Sequence, residues 1–435
     1  MGRFSQYIID LLPRTGRMIR EDGSFINQAD SMTGTNLVEQ QTVKIIDRAG
    51  RSAVVSSIGE VIIGGRVDSV SVNFQYGVSS DDIVNGGMVT GTGVLGQVGS
   101  LATVSPGTGV GSATLQSLRS VRYRSGHESY CSPSVVLAVP EINVNQYIGF
   151  LDGEDGLCFG YQGLTPGFWF IEGGNFNFYP KSEWNIDPMD GTGPSGYVLD
   201  MQAGQVPEIK FAWHGLRNIT LEVVSDTGED YPCHVLKFIN EATDTHLKNP
   251  NLPVACKIER TSGAGAAVVL KTGSWRAGVI AFSREESASE RWKSVTVLDS
   301  ALAGSVRNNI FTIRNKATYA GKINHIVYEL GIITLANAAN KTVAVYATRD
   351  AVMSGNTAFV DVDGGNSPLE VSKQGTITGG DRGEATVIRA GQDRRTDTRG
   401  TGIFIYPGTT LTIEVDPGGA VNGTFSAAAR FLGRH

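Results

Sequence analysis

Residues 147 to 163 read YIGFLDGEDGLCFGYQG, with three acids and two glycines grouped as Asp152-Gly153-Glu154-Asp155-Gly156. Carboxylates so grouped could ligate a cation, form an acid and base pair, or simply fill a turn. An EF-hand loop needs a bidentate glutamate at its twelfth position, and counting from Asp152 puts Gly163 there. A looser calcium site shared with a neighbouring loop stays open. On an extended segment Asp152 and Glu154 would lie ~6.6 Å apart on one side, a spacing that suits a glycosidase pair. Gly153 and Gly156 favour a turn instead. The expected reading is a hairpin between Ile148-Gly149-Phe150-Leu151 and Leu157-Cys158-Phe159-Gly160-Tyr161, with Asp152, Glu154 and Asp155 as solvated loop acids. Neutral substitution at Asp152 and Glu154 should then change stability by less than ~0.5 kcal/mol.

The remaining reactive side chains form no catalytic constellation. The six histidines at 127, 214, 234, 246, 325 and 435 show no i,i+4 pair, and no serine sits in a GxSxG elbow. Cys131, Cys158, Cys233 and Cys256 have neither zinc spacing nor disulfide density and are expected as small buried side chains. Gly91-Thr92-Gly93-Val94-Leu95-Gly96 matches GxGxxG, but no crossover helix or later acid follows, so no nucleotide is expected. His127 and Glu128 beside Tyr123 and Arg124 read as a solvated turn. Trp169, Trp213 and Trp275 could stack on sugars, although strand tryptophans are more often core. No catalytic residue, cofactor or metal ligand is assigned, and the chain is not expected to be an enzyme.

The elements that must position these groups are strands. The chain has 55 glycines in 435 residues, about twice the usual share of ~7%. Only 18% of its residues are charged, which suits short strands and glycine turns. Apolar segments of strand length recur from 36 to 282, and Ile209, Phe211 and Trp213 share one face, as do Ile219, Leu221 and Val223. Residues 86 to 112 read as a long flexible glycine loop. The polar run SREESASERWK, 283 to 293, reads as a linker. A second strand set, 294 to 435, makes a smaller sandwich, and TLTIEV at 410 to 415 alternates like a half-buried strand. The expected fold is therefore all-β, with two jelly-roll-like β-sandwich domains behind an N-terminal arm, 1 to 35. That arm sets Arg14, Arg17 and Arg20 among Ile8 and Leu11, groups suited to anchoring on a partner.

Several segments carry a resemblance: Arg122-Tyr123-Arg124-Ser125-Gly126, the 147 to 163 stretch, Phe211-Ala212-Trp213-His214-Gly215, Asn249-Pro250-Asn251-Leu252-Pro253 and Gly273-Ser274-Trp275. In this order they resemble structural proteins of tailed bacteriophages and large DNA viruses, and Pro407-Gly408-Thr409-Thr410-Leu411-Thr412 resembles the last strands of phage appendage proteins. The resemblance implies a jelly-roll virion component, a head or tail appendage repeated around a symmetry axis. With the arm and the two sandwiches, the expected function is a non-enzymatic fibre, spike or adaptor of the virion, docked on other virion proteins through its arm and contributing to host attachment, and the sparse cysteines fit synthesis in the host cytoplasm.

The net charge of −6 argues against nucleic acid, and no apolar run reaches the ~18 residues of a membrane span. Strand 147 to 151 is apolar on both faces, which calls for a covering layer or a neighbouring subunit. A homo-oligomer, a trimer or ring, is the expectation. The alternative function is a lectin-like protein that binds or cleaves glycans, a host surface glycan included.

Overall fold

The computed structural model describes residues 7–12, 15–20, 65–281, 291–355, 358–373 and 375–434. Among them the fold is all-β, built as two antiparallel β-sandwiches. The first places a seven-stranded sheet, in the order Asn175–Pro180, Thr165–Glu172, Gly156–Gln162, Val144–Leu151, Pro253–Arg260, Gly111–Ser120, Met88–Gly91, against a nine-stranded one. The path of the second runs Asp230–Leu236, Ile219–Val224, Pro207–Phe211, Glu128–Val136, Leu270–Ala281, Leu101–Ser105, Val94–Val98, with Gly204–Gln205 and Gly65–Asn73 paired off it. Alternation drives the packing. Ile209 and Phe211, Ile219, Leu221 and Val223, and Trp275, Ala277 and Val279 all point between the sheets into one core. All four cysteines are free and buried, as their spacing implied.

The C-terminal sandwich opposes a five-stranded sheet, containing Arg291–Ala301, Thr424–Arg434, Val327–Asn337 and Gln392–Asp397, to an eight-stranded one around Asn308–Asn315, Thr410–Asp416, Val343–Arg349 and Asp381–Ile388. It has its own core, which includes Ile310, Phe311, Leu335, Ile413 and Phe431. Among the described residues, the first strand of each sandwich pairs with the last: Gly65 lies opposite Ala281, and Arg291 opposite Gly433.

Three expectations are corrected, and one argument for an oligomer is removed. Residues 86 to 112 are not a flexible loop: they hold Met88–Gly91, Val94–Val98 and Leu101–Ser105 and the start of Gly111–Ser120. Their glycines serve close backbone approach, since a Cβ on Gly93 would sit 2.0 Å from the Ser112 carbonyl oxygen. The Thr92 hydroxyl ties the segment to the Pro106 and Gly109 carbonyls at 2.7 and 2.9 Å. The linker ends earlier than 293, because Arg291-Trp292-Lys293 open the first strand of the second sandwich.

TLTIEV is buried on both faces, not one, because it runs between 308–315 and 343–349 in mid-sheet. Glu414 on its polar side is held by Arg307, by Arg382 at 2.7 Å and by the Thr348 hydroxyl at 2.8 Å. Finally, 144–151 is indeed buried on both faces: Ile148 and Phe150 join the main core, while Tyr147 and Leu151 join a second cluster with Cys158, Trp169 and Ile171. This burial is complete within one chain, so the face supplies no argument for a trimer or ring.

Of the arm, Ile8 and Leu11 lie on Tyr7–Leu12 and Arg17 and Arg20 on Thr15–Arg20, an antiparallel hairpin. Arg14 and the remainder of 1–64 lie outside the described residues.

Candidate functional site

The acid-glycine knot is a turn, but not a solvated one. Asp152 Oδ1 accepts the backbone N–H groups of Glu154 and Asp155 at 2.9 and 2.7 Å, an Asx turn that buries the carboxylate. Its Oδ2 lies 2.9 Å from Nε2 of His325, which belongs to the other sandwich. Asp155 is also buried, accepting from Gly173 N at 2.9 Å and Asn249 N at 2.7 Å. Burial raises its carboxyl above the usual range, against the pull of those two N–H groups. Only Glu154 is exposed. The expected trio of solvated acids is thus overturned, because the turn lies where the two sandwiches meet.

That junction is polar. Asn249 Nδ2 donates to Ile323 O at 3.1 Å, Lys322 Nζ to Lys248 O at 2.9 Å, and Arg119 Nε to the Tyr406 hydroxyl at 3.3 Å. His325 Nδ1 lies 3.2 Å from Ser120 Oγ, at the end of Gly111–Ser120.

A second charged assembly lies on the outer face of the nine-stranded sheet. The alternation that sends Ile209 and Phe211 inward sends Glu208 and Lys210 outward, and Glu208 pairs across the strands with Glu222. Lys210, 1% exposed, reaches Glu208 at 2.9 Å and Glu222 at 2.5 Å. Burial alone would depress Lys210, and the two glutamates reverse that, holding its ammonium above the usual lysine range. Arg66 grips Glu208 through both terminal nitrogens at 2.7 and 2.6 Å and stands 3.8 Å from Asp230. Burial raises Glu222 and Asp230, partly offset by Lys210.

Glu208, Glu222 and Asp230 present oxygens within 4.8 Å of one another. The ammonium of Lys210 and the guanidinium of Arg66 already stand among them, so the trio does not fit a metal ion. The row continues to Tyr130, whose hydroxyl donates to Asp68 and whose ring lies under Arg66 at 4.9 Å and Arg276 at 5.7 Å. Burial, then Asp68, pushes the phenol well up, so it stays protonated. Arg276 Nε bonds both Asp68 oxygens at 2.9 and 3.1 Å, and this outer pair is open to solvent.

The remaining sequence candidates are structural. Trp275 and Trp169 are buried, while Trp213 lies past the end of its strand, donating to Leu247 O at 3.1 Å and meeting Tyr123 edge-on. His127 lies in a turn near the Ser125 carbonyl. Gly91 to Gly96 joins two strands with no helix to receive a phosphate. The sequence did carry the signal for Glu208, Lys210 and Glu222, as the polar half of PEIKF and ITLEVV. It carried none for His325, which lies 173 positions from Asp152.

No family model and no curated protein matches the chain. Among solved structures it is similar to lectin I-B4 from Griffonia simplicifolia in its metal-free form (12% identity, 49% of this chain and 100% of that one, TM-score 0.28). Others are lectin II from Ulex europaeus (9%, 49% and 100%, 0.31) and cellulose induced protein Cip1 (16%, 48% and 96%, 0.29). Scores of this size say nothing about what this chain binds.

Proposed function

We propose that the chain is a glycan-binding β-sandwich protein whose binding surface is the outer face of the nine-stranded sheet. The observation that supports this reading is the row Asp68, Arg276, Tyr130, Arg66, Glu208 and Glu222, in which Arg66 and Glu208 lock each other bidentately, Arg276 Nε is held between both Asp68 oxygens and Lys210 fixes Glu222, beside an aromatic ring. Sugar hydroxyls donate and accept at once, and carboxylate and guanidinium edges fixed in advance meet both needs at little entropic cost. The buried centre sets the geometry, and the open pair Arg276–Asp68 supplies the contacts. A glycan array followed by titration calorimetry tests this: Arg276→Ala should weaken a bound glycan at least tenfold, and an array without hits would end the proposal. A reducing-sugar release assay separates binding from cleavage.

A second reading, anchoring on a larger particle such as a virion, is favoured by the hairpin 7–12 and 15–20, which forms a two-stranded sheet of its own. Such hairpins are marginal in water without a partner. Mass spectrometry of purified particles tests it, and absence of the chain would sink it.

A further inference from the structure

We propose that Ser120 is an activated nucleophile for acyl esters, with His325 as its general base and Asp152 as the residue that positions the base. The mark of such a site is a nucleophile and a base within about 2.6–3.2 Å of each other, with the base held by a third group. Here Ser120 Oγ to His325 Nδ1 is 3.2 Å and His325 Nε2 to Asp152 Oδ2 is 2.9 Å. Asp152 is itself fixed by two backbone N–H groups. A carboxylate only accepts, so the neutral imidazole carries its proton on Nε2 and turns the Nδ1 lone pair to the serine. Burial is graded in the useful direction: the side chains of Asp152 and His325 are 1% and 6% exposed, whereas Ser120 is only half-buried. Two residues come from the first sandwich and one from the second, so docking of the sandwiches assembles the site.

In the step, Ser120 Oγ bonds to the ester carbonyl carbon as its proton passes to His325 Nδ1. The C–O bond to the alcohol then breaks, and the alcohol leaves with that proton. Water, deprotonated by the same nitrogen, releases the acid and restores the serine. This site is separate from the glycan face and stands whether or not that face binds sugar.

The test uses the full chain with an alkyl fluorophosphonate, which phosphonylates activated serines with loss of fluoride, and with p-nitrophenyl acetate. The expected result is one adduct per chain on the peptide containing Ser120, none there in Ser120→Ala, and labelling slowed about 10²–10⁴-fold in His325→Ala, the usual worth of a positioned base. Asp152→Asn, whose amide donates to Nε2 and so places the imidazole proton on Nδ1, facing the serine, should slow labelling nearly as far as His325→Ala does and alter its pH profile, which a merely architectural contact would not do. Ser120→Ala removes a single oxygen, so its fold is retained and its silence is informative. A parent chain unlabelled at Ser120 after exhaustive exposure, or equal rates in parent and His325→Ala, would overturn the proposal.

Discussion

Replacing Asp152 with asparagine, and separately with alanine, measures how firmly the acid-glycine turn ties the two sandwiches together. The carboxylate accepts three hydrogen bonds, from Glu154 N, Asp155 N and His325 Nε2, at 2.9, 2.7 and 2.9 Å. Bonds to a charged partner contribute about 1.5–3 kcal/mol net and neutral ones about 0.5–1.5. Asparagine keeps the backbone bonds and offers its amide to a re-tautomerised histidine. It therefore loses only the charge assistance, offset by the easier burial of a neutral group, for a cost of ~1–2 kcal/mol. Alanine strands two backbone N–H groups and an imidazole, at ~3–5 kcal/mol. At roughly 2–4 °C per kcal/mol for domains of this size, calorimetry should show Tm losses of about 2–8 °C and at least 6 °C respectively. Glu154→Gln should leave Tm unchanged. A double-mutant cycle with His325→Ala should give a coupling of ~1–3 kcal/mol. If Asp152→Ala melts with the parent, or the cycle is additive, the turn does not hold the junction.

Lys210→Met leaves Glu208 and Glu222 buried without their ammonium and should cost about 3–5 kcal/mol in urea unfolding, whereas adding Glu208→Gln and Glu222→Gln should recover most of it. His246, packed on Phe238 at 4.6 Å, is held down to about 4 by burial, against 6.5 when free. The unfolded chain therefore binds more protons between those values, so this contribution is complete above pH 6.5 and fades as pH falls toward 4. It amounts to about 3 kcal/mol. His246→Phe should flatten that part of the pH–stability curve relative to the parent, and an unchanged difference across the range would refute it. Gly93→Ala drives a methyl into the Ser112 carbonyl and should destabilise by about 1–3 kcal/mol, measured by thermal melt.

Strand content was legible because period-two alternation is local: Ile219–Val224 is found where its sequence places it. The glycine-rich 86 to 112 segment misled because glycine signals freedom and close approach alike, and only the neighbouring backbone at Ser112 and Val110 shows which is at work. TLTIEV misled in the same way. Its polar positions look solvent-facing until Arg307, Arg382 and Thr312 arrive from distant parts of the chain. The outer charged row was half legible. Glu208, Lys210 and Glu222 follow from alternation, while Arg66 and Asp68 needed the sheet order. The junction was illegible, since a contact between Asp152 and His325 has no local period to betray it.

Among the described residues, the opening strand of each sandwich lies antiparallel to its closing strand, with Gly65 opposite Ala281 and Arg291 opposite Gly433, so the outer ends of that strand pair lie side by side. Tension applied along the chain would therefore load the bonds of that pair one after another, from the open end, instead of sharing the force among them. Antiparallel ladder bonds lie perpendicular to the strands, so a pull that separates the strands from one end falls on a single bond at a time. Both units should open at low force, like a zip. A chain of this design can present a surface, but it is poorly built to carry a mechanical load through its ends.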